Sequence, residues 1–272
     1  MNQALFFDCP ADELPLERAV TDGGYCGILR TVACVGDSLS SGEMETVDAE
    51  GNPHYGDLYE YSWGQFMARM TGNTVYNFSR GGMTSRVYLE SFAAENGYWD
   101  ADKACRAYIM AMGVNDITRV MKGEYEFGSV EDIDLADYRR NKPTLAGYYG
   151  AVLQRYRELS PRCRLFLVTP PITDSEGAER TDYNKRLRAL LYEIADKMGL
   201  AYVIDLQQYG PVYDEQTEKR FFLNGHLNPI GYMFNARLIT SYIDYIIRHN
   251  AADFAQIALV GTEQPYDDKY IW

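Results

Sequence analysis

The sequence predicts a single α/β domain, a three-layer α/β/α sandwich around a mostly parallel sheet. Three observations predict it. Short apolar runs of strand character alternate with amphipathic helical patterns from residue 30 to 250, which implies βαβ crossovers and a sheet covered on both faces. At 272 residues, 46% hydrophobic and 24% charged, the chain is long enough for one large core and carries no signature of disorder. The residues able to do chemistry fall just after predicted strands, where open α/β sheets bind ligands. No internal repeat or low-complexity segment interrupts the pattern.

Taken in order, residues 1–29 alternate acids, glycines and short apolar groups without a period, and read as an N-terminal arm lying across the domain or against a partner. The run Thr31-Val32-Ala33-Cys34-Val35 that follows reads as a buried strand over about 30–36, stopped by Gly36-Asp37-Ser38. Residues 42–61 are acidic and aromatic, with Gly51-Asn52-Pro53 as a turn signal, and read as a long loop beside that stop. Ser62 caps a predicted helix through Trp63, Phe66, Met67 and Met70 that ends at Gly72. Thr74 to Phe78 is the second strand, and a helix starts near Thr84. Ala107 to Met112 is a central buried strand leading to Gly113.

Residues 119–141 are loop-like, and their acid run Glu131-Asp132-Ile133-Asp134 reads as solvated surface because it lacks the ligand spacing of a calcium loop. A helix from Pro143 to Ser160 carries Leu145, Tyr149, Val152, Leu153, Tyr156 and Leu159 on one face. A strand over Arg164 to Thr169 stops at Pro170-Pro171, a helix runs from about Asp182 to Lys197, and Ala201 to Asp205 is a fifth strand. The last long helix follows Pro229 and carries Met233, Phe234, Leu238, Ile239, Tyr242, Ile243 and Ile246. The partly apolar tail, 251–272, is expected to pack on the domain or on a second subunit, leaving room for a homo-oligomer.

Charge and cysteine usage narrow the classes of function. A net charge of −13 argues against nucleic acid or an anionic membrane as partner. No apolar run approaches the ~20 residues of a membrane span, and the first residues lack the basic start and apolar centre of a secretory signal. The five cysteines, Cys9, Cys26, Cys34, Cys105 and Cys163, form no Cys-x-x-Cys pair and read as reduced thiols in a cytoplasmic protein. Phosphate loops, dinucleotide fingerprints, His-Glu-x-x-His pairs and Gly-x-Ser-x-Gly elbows are missing, so neither cofactor nor metal is expected.

Ser38 is the candidate nucleophile, delivered to the sheet edge by the first strand. A serine needs a base within hydrogen-bond reach and donors for the developing oxyanion. The chain holds three histidines, His54, His226 and His249. His226 stands in Leu223-Asn224-Gly225-His226-Leu227-Asn228-Pro229, between a polar loop and a helical pattern.

Gly36-Asp37-Ser38-Leu39, Asn77-Phe78-Ser79-Arg80-Gly81-Gly82-Met83-Thr84, Gly113-Val114-Asn115-Asp116 and His226-Leu227-Asn228-Pro229 resemble, in order, the blocks of the SGNH (GDSL-type) hydrolase family. The resemblance covers roughly positions 30 to 249 and implies a flavodoxin-like fold. It implies Ser38 as nucleophile and His226 as base. It also implies an oxyanion hole made of the Ser38 N–H, the Gly82 N–H and the Asn115 side-chain amide. Gly82 is chosen over Gly81 because it stands two residues before Thr84, as in the family block; Asp116 is expected to order its loop rather than react. The implied substrates are small acyl esters, including O-acetyl groups on carbohydrates.

One position departs from the pattern. The family usually places an aspartate three residues before the histidine, and here that position is Leu223. The alternatives are a Ser-His dyad steadied by a backbone carbonyl or by Asn224, an acid from elsewhere such as Asp214, Glu215 or Glu218, or a weakened enzyme; the rival function is a non-catalytic or weakened ligand-binding module. The dyad or the borrowed acid is the favoured reading. His54 reads as a surface histidine, Tyr55, Tyr59 and Tyr61 as aromatic groups beside the active-site loop, and Arg80 and Arg86 as flanking cations. Tyr149, Tyr156 and Tyr242 read as core.

Overall fold

The structure is a computed structural model that describes residues 9–267 and 269. Its strands are β1 (Thr31–Gly36), β2 (Glu43–Val47), β3 (Pro53–Asp57), β4 (Thr74–Ser79), β5 (Ala107–Ala111), β6 (Arg164–Val168), β7 (Ala201–Ile204), β8 (Phe222–Leu223) and β9 (His226–Leu227). The helices are α1 (Ser38–Ser41), α2 (Trp63–Thr71), α3 (Ser85–Val87), α4 (Ala93–Glu95), α5 (Val114–Met121), α6 (Leu145–Leu159), α7 (Ala178–Met198), α8 (Leu206–Tyr209), α9 (Glu215–Phe221), α10 (Pro229–His249) and α11 (Ala251–Phe254). A π-helical turn, Tyr88–Phe92, joins α3 to α4.

Five parallel strands form the central sheet in the order β4-β1-β5-β6-β7. Because β1 is paired on both sides and covered on both faces, its sequence is a continuous apolar run rather than an alternating one. The period of two still sorts its side chains. Ala33 and Val35 join one core cluster with Tyr108 and Met110 of β5, while Val32 and Cys34 join the other with Ala107 and Ile109. The first cluster is closed by α6, α7 and the α3–α4 segment, the second by α2, α10 and the 3-10 turn Gly24–Leu29. Tyr149, Tyr156 and Tyr242 are buried, as their helical spacing predicts.

Three stretches differ from the sequence reading. Residues 42–61, expected as a long loop, contain the antiparallel hairpin β2–β3, paired from Glu43↔Asp57 to Val47↔Pro53. The turn is closed by the Asp48 carboxylate, which accepts from the Glu50 and Asn52 N–H groups. Pro53 sits at a strand start, a place that tolerates proline, so the turn signal there did not exclude strand. In the acid run, Asp132 is buried rather than solvated: it accepts from Ser129 N and Thr144 Oγ1 and pairs with Lys142 at 2.9 Å. The segment 222–227 is a second small hairpin, β8–β9, with Leu223 opposite His226.

Residues 9–29 pack on α10. Val20 N–H donates to Ser241 Oγ, Tyr25 N–H donates to the Asp244 carboxylate, and the Glu13 carboxylate takes both Arg248 terminal nitrogens at 2.5 and 2.8 Å. At the other end, Phe254, Ile257 and Val260 lie in the second core cluster. Among the described residues no helix is long and apolar enough to cross a membrane.

Candidate active site

The order β4-β1-β5 puts the first strand between two others, so the chain leaves β1 at the switch point of the sheet, where such folds bind ligands. Register brings the blocks to one edge. Gly36 pairs with Ser79 of β4 and with Ala111 of β5, so Ser38, the Gly81-Gly82 loop and Asn115 all emerge within a few residues of the same level.

Asp37 caps α1 by accepting the Leu39 N–H at 3.1 Å, which starts the helix at Ser38. Gly36 is needed for the sharp exit. A Cβ there would lie 2.3 Å from Ser40 Oγ and 2.9 Å from Ala111 O. Ser38 is half-buried, and its hydroxyl has no hydrogen-bond partner among the described residues. Its carbonyl is held from below by Tyr232 of α10, whose hydroxyl contacts Ser38 O at 3.2 Å and Glu43 O at 2.5 Å.

The second and third blocks are tied together by Asp116. Its buried carboxylate accepts from Ser85 N at 3.0 Å and from Tyr125 Oη at 3.1 Å, so it orders the loops as expected of it. Burial pushes its carboxyl up to about 6. Gly113 enters α5 with φ +120°, and a Cβ there would lie 2.6 Å from Leu187 Cδ2. Asn115 donates from its side-chain amide to Asp37 Oδ2 at 3.3 Å. Arg180, from α7, fixes the same turn by donating to Val114 O at 2.6 Å.

Gly81 and Gly82 need glycine for different reasons. Gly82 is exposed with φ +68° and open space where a Cβ would point, whereas a Cβ on Gly81 would lie 1.8 Å from Glu43 Oε2. Arg80 stacks over Phe92, and Arg86 pairs with Glu90.

His226 reaches the edge on the β8–β9 hairpin, one-sixth exposed, and its ring lies between two carboxylates from β2. Glu45 Oε2 is 3.2 Å from Nδ1 and Glu43 Oε1 is 3.4 Å from Nε2. Glu45 Oε2 also accepts the Gly225 N–H at 3.0 Å, and its main-chain carbonyl accepts the Asn224 amide at 3.1 Å. The strand and the hairpin therefore clasp each other around Glu45. Asn224 adopts φ +55° and acts on the Glu45 main chain; the partner of the imidazole Nδ1 is Glu45 and not Asn224.

The other acids considered for that role point elsewhere. Asp214 caps α9 through Thr217 N, Glu215 pairs with Lys219, and Glu218 accepts from Ser175. Leu223 is 41% exposed. Sequence reading missed Glu43 and Glu45 because their segment was taken for loop. The signal was there in the alternation Glu43-Met44-Glu45, with Met44 buried and the two acids on the opposite face.

Electrostatics at this edge are dominated by carboxylates. Burial pushes Asp37 up to about 7, with Asp116 adding to the rise while the Leu39 N–H and His226 oppose it. Burial also raises Glu43, with His226 opposing and Asp57 and Glu45 adding. Tyr55 stands edge-on to His226, ring centres 5.8 Å apart. Tyr59 contacts Val75 O through its hydroxyl, Tyr61 is exposed, and His54 lies on the exposed hairpin opposite Thr46. A depression of about 580 Å³ under Leu14 of the arm is lined by none of these residues.

A five-stranded parallel sheet with Ser38 at its switch point and an imidazole beside carboxylates at the same edge is an arrangement able to hydrolyse an ester. The chain belongs to the GDSL-like lipase/acylhydrolase family, whose match spans residues 34–234. Among solved structures it is similar to a carbohydrate acetylesterase, Est24 from Sinorhizobium meliloti, at 17% identity and TM-score 0.51 over 80% of this chain and 99% of that one. It is similar to an acetyl xylan esterase, AlAXEase, at 18% identity and TM-score 0.50 over 78% and 99%. A family two carbohydrate esterase from Clostridium thermocellum, solved with cellohexaose, aligns at 13% identity and TM-score 0.55 over 89% and 67%. No curated protein matches the chain.

Proposed function

We propose that this enzyme hydrolyses small carboxylic esters through an acyl-Ser38 intermediate, with O-acetyl groups on carbohydrates as the favoured substrates. His226 Nε2 takes the proton from Ser38 Oγ as that oxygen attacks the carbonyl, then returns it to the leaving alcohol. Glu45 accepts the Nδ1–H, fixes the tautomer and stabilises the imidazolium that forms. The Ser38 and Gly82 N–H groups and the second hydrogen of the Asn115 amide hold the oxyanion. Asp37 supports that assignment for Asn115 by orienting the amide from the far side.

The observation that carries this reading is the contact of Glu45 with His226 Nδ1, shared with the Gly225 N–H. Leu223 cannot orient a histidine, and the Glu45–His226 contact supports a carboxylate from β2 in that role rather than a non-catalytic module. The carbohydrate preference draws on the named esterases of like fold and on the polar, acidic rim. The five free cysteines favour a cytoplasmic location.

Hydrolysis of p-nitrophenyl acetate and butyrate tests the reading. Acetate should be the better substrate, and Ser38→Ala and His226→Ala should each lower kcat by about 10³-fold or more. Equal turnover by the wild type and both variants would overturn it.

A further inference from the structure

We propose that Glu43 is a specificity-determining residue that accepts a hydrogen bond from a hydroxyl neighbouring the ester, and that without such a hydroxyl it occupies the imidazole face the reaction needs. The proposal rests on the esterase reading above.

Glu43 and Glu45 are two residues apart on one strand, so their side chains leave the same face and bracket the ring. A neutral imidazole has one N–H and one lone pair. With the N–H given to Glu45 at Nδ1, the lone pair at Nε2 faces a carboxylate 3.4 Å away. The contact has no hydrogen-bond geometry; the carboxylate instead occupies the imidazole face through which the Ser38 proton must arrive.

Glu43 is held where it is. Its main-chain carbonyl takes the Tyr232 hydroxyl, and its Oε2 packs against the Cα of Gly81. The side chain thus spans from the base to the loop that carries Gly82, across the space an ester must enter. The charged groups that act on it are His226 of β9, Asp57 at the end of β3 and Glu45 of β2, and Asp37 at the nucleophile turn adds a further carboxylate around their shared neighbour Tyr232. An anionic ester meets that field unfavourably. A plain alkyl ester has no donor to offer. A hydroxyl on the carbon beside the ester, as on a partly acetylated sugar or glycerol, donates to Glu43 and draws its carboxylate off the Nε2 face, leaving that face to Ser38.

The test compares kcat/KM for glycerol 1-monoacetate and n-propyl acetate, alike in acyl group and carbon count, across pH 6 to 9 for the wild type, Glu43→Gln and Glu43→Ala. The wild type should prefer the hydroxylated acetate by about tenfold or more, the scale of a hydrogen bond to a charged acceptor. In Glu43→Ala the ratio should fall to about one, chiefly because n-propyl acetate turns over faster, and the acid limb of kcat/KM should move to lower pH. Glu43→Gln, which keeps the shape without the charge, should lose most of the preference. In a Ser38→Ala background, the ¹⁵N resonance of His226 Nε2 should move when Glu43→Ala is added. An unchanged substrate ratio in an active Glu43→Ala, or an unmoved Nε2 resonance, overturns the proposal alone. A wild type inert toward both acetates overturns the esterase reading and this proposal with it.

Discussion

At the scale of single residues, the site turns on where protons sit among a few part-buried acids. Glu45 is assigned the work that the family usually gives to an aspartate three residues before the histidine. Glu45→Gln should therefore lower kcat by about 10³- to 10⁴-fold with little change in KM, as removal of the acid does in a serine protease, while Leu223→Ala leaves both constants nearly unchanged in steady-state assays. Asp37 has a separate consequence. Its carboxyl titrates near 3.8 when unfolded but is pushed up to about 7 in the fold. Between those values the native state holds a proton that the unfolded state has lost, so this group makes stability fall as pH rises from about 4 to 7. Asp37→Asn keeps the cap and removes the titration. Urea midpoints at pH 5 and pH 8 should show the variant gaining on the wild type at the higher pH, on the order of 3 kcal/mol at most.

At the scale of elements, the β2–β3 and β8–β9 hairpins and α10 bring the surroundings of His226 together from three parts of the chain. Tyr232 is the link between α10 and the nucleophile turn, its hydroxyl reaching two main-chain carbonyls. Tyr232→Phe strips a partner from both. It should cost about 1–3 kcal/mol in chemical denaturation and should also lower kcat, because Ser38 and Glu43 lose a common anchor. The helix itself was readable from Pro229 and its apolar stripe. The contact across roughly 190 residues that makes it part of the site was not, since no local pattern records which carbonyls a tyrosine will meet.

At the scale of the whole molecule, the arm is fastened to the last long helix by a buried array. Arg248 is nearly fully buried, with Glu13 and Asp244 on either side of its guanidinium. The Arg248 hydrogen bond holds the Glu13 carboxyl below its ordinary value of 4.5, with His249 adding and burial opposing. The stabilisation is thus present above about pH 4.5 and is lost as pH falls through the lowered value. Glu13→Ala removes the buried carboxylate that takes both Arg248 terminal nitrogens and should destabilise by roughly 3–5 kcal/mol. Thermal melts at pH 7 check this, and the difference from wild type should shrink toward pH 3.

Much of this architecture was determined by local sequence. Period and capping mark Trp63 to Thr71, Leu145 to Leu159 and the five sheet strands, because burial on two faces forces continuous apolar runs and helix ends need side-chain partners. The blocks holding Ser38, Gly82, Asn115 and His226 were likewise visible as ordered motifs. What tertiary structure alone decided is the surroundings of the imidazole. Glu43 and Glu45 lie about 180 positions from His226 and belong to a short exposed hairpin whose acids dilute its strand signal. Only the clasp of β2 on the 223–226 hairpin, a long-range packing event with no local trace, brings two carboxylates to the two nitrogens of one ring.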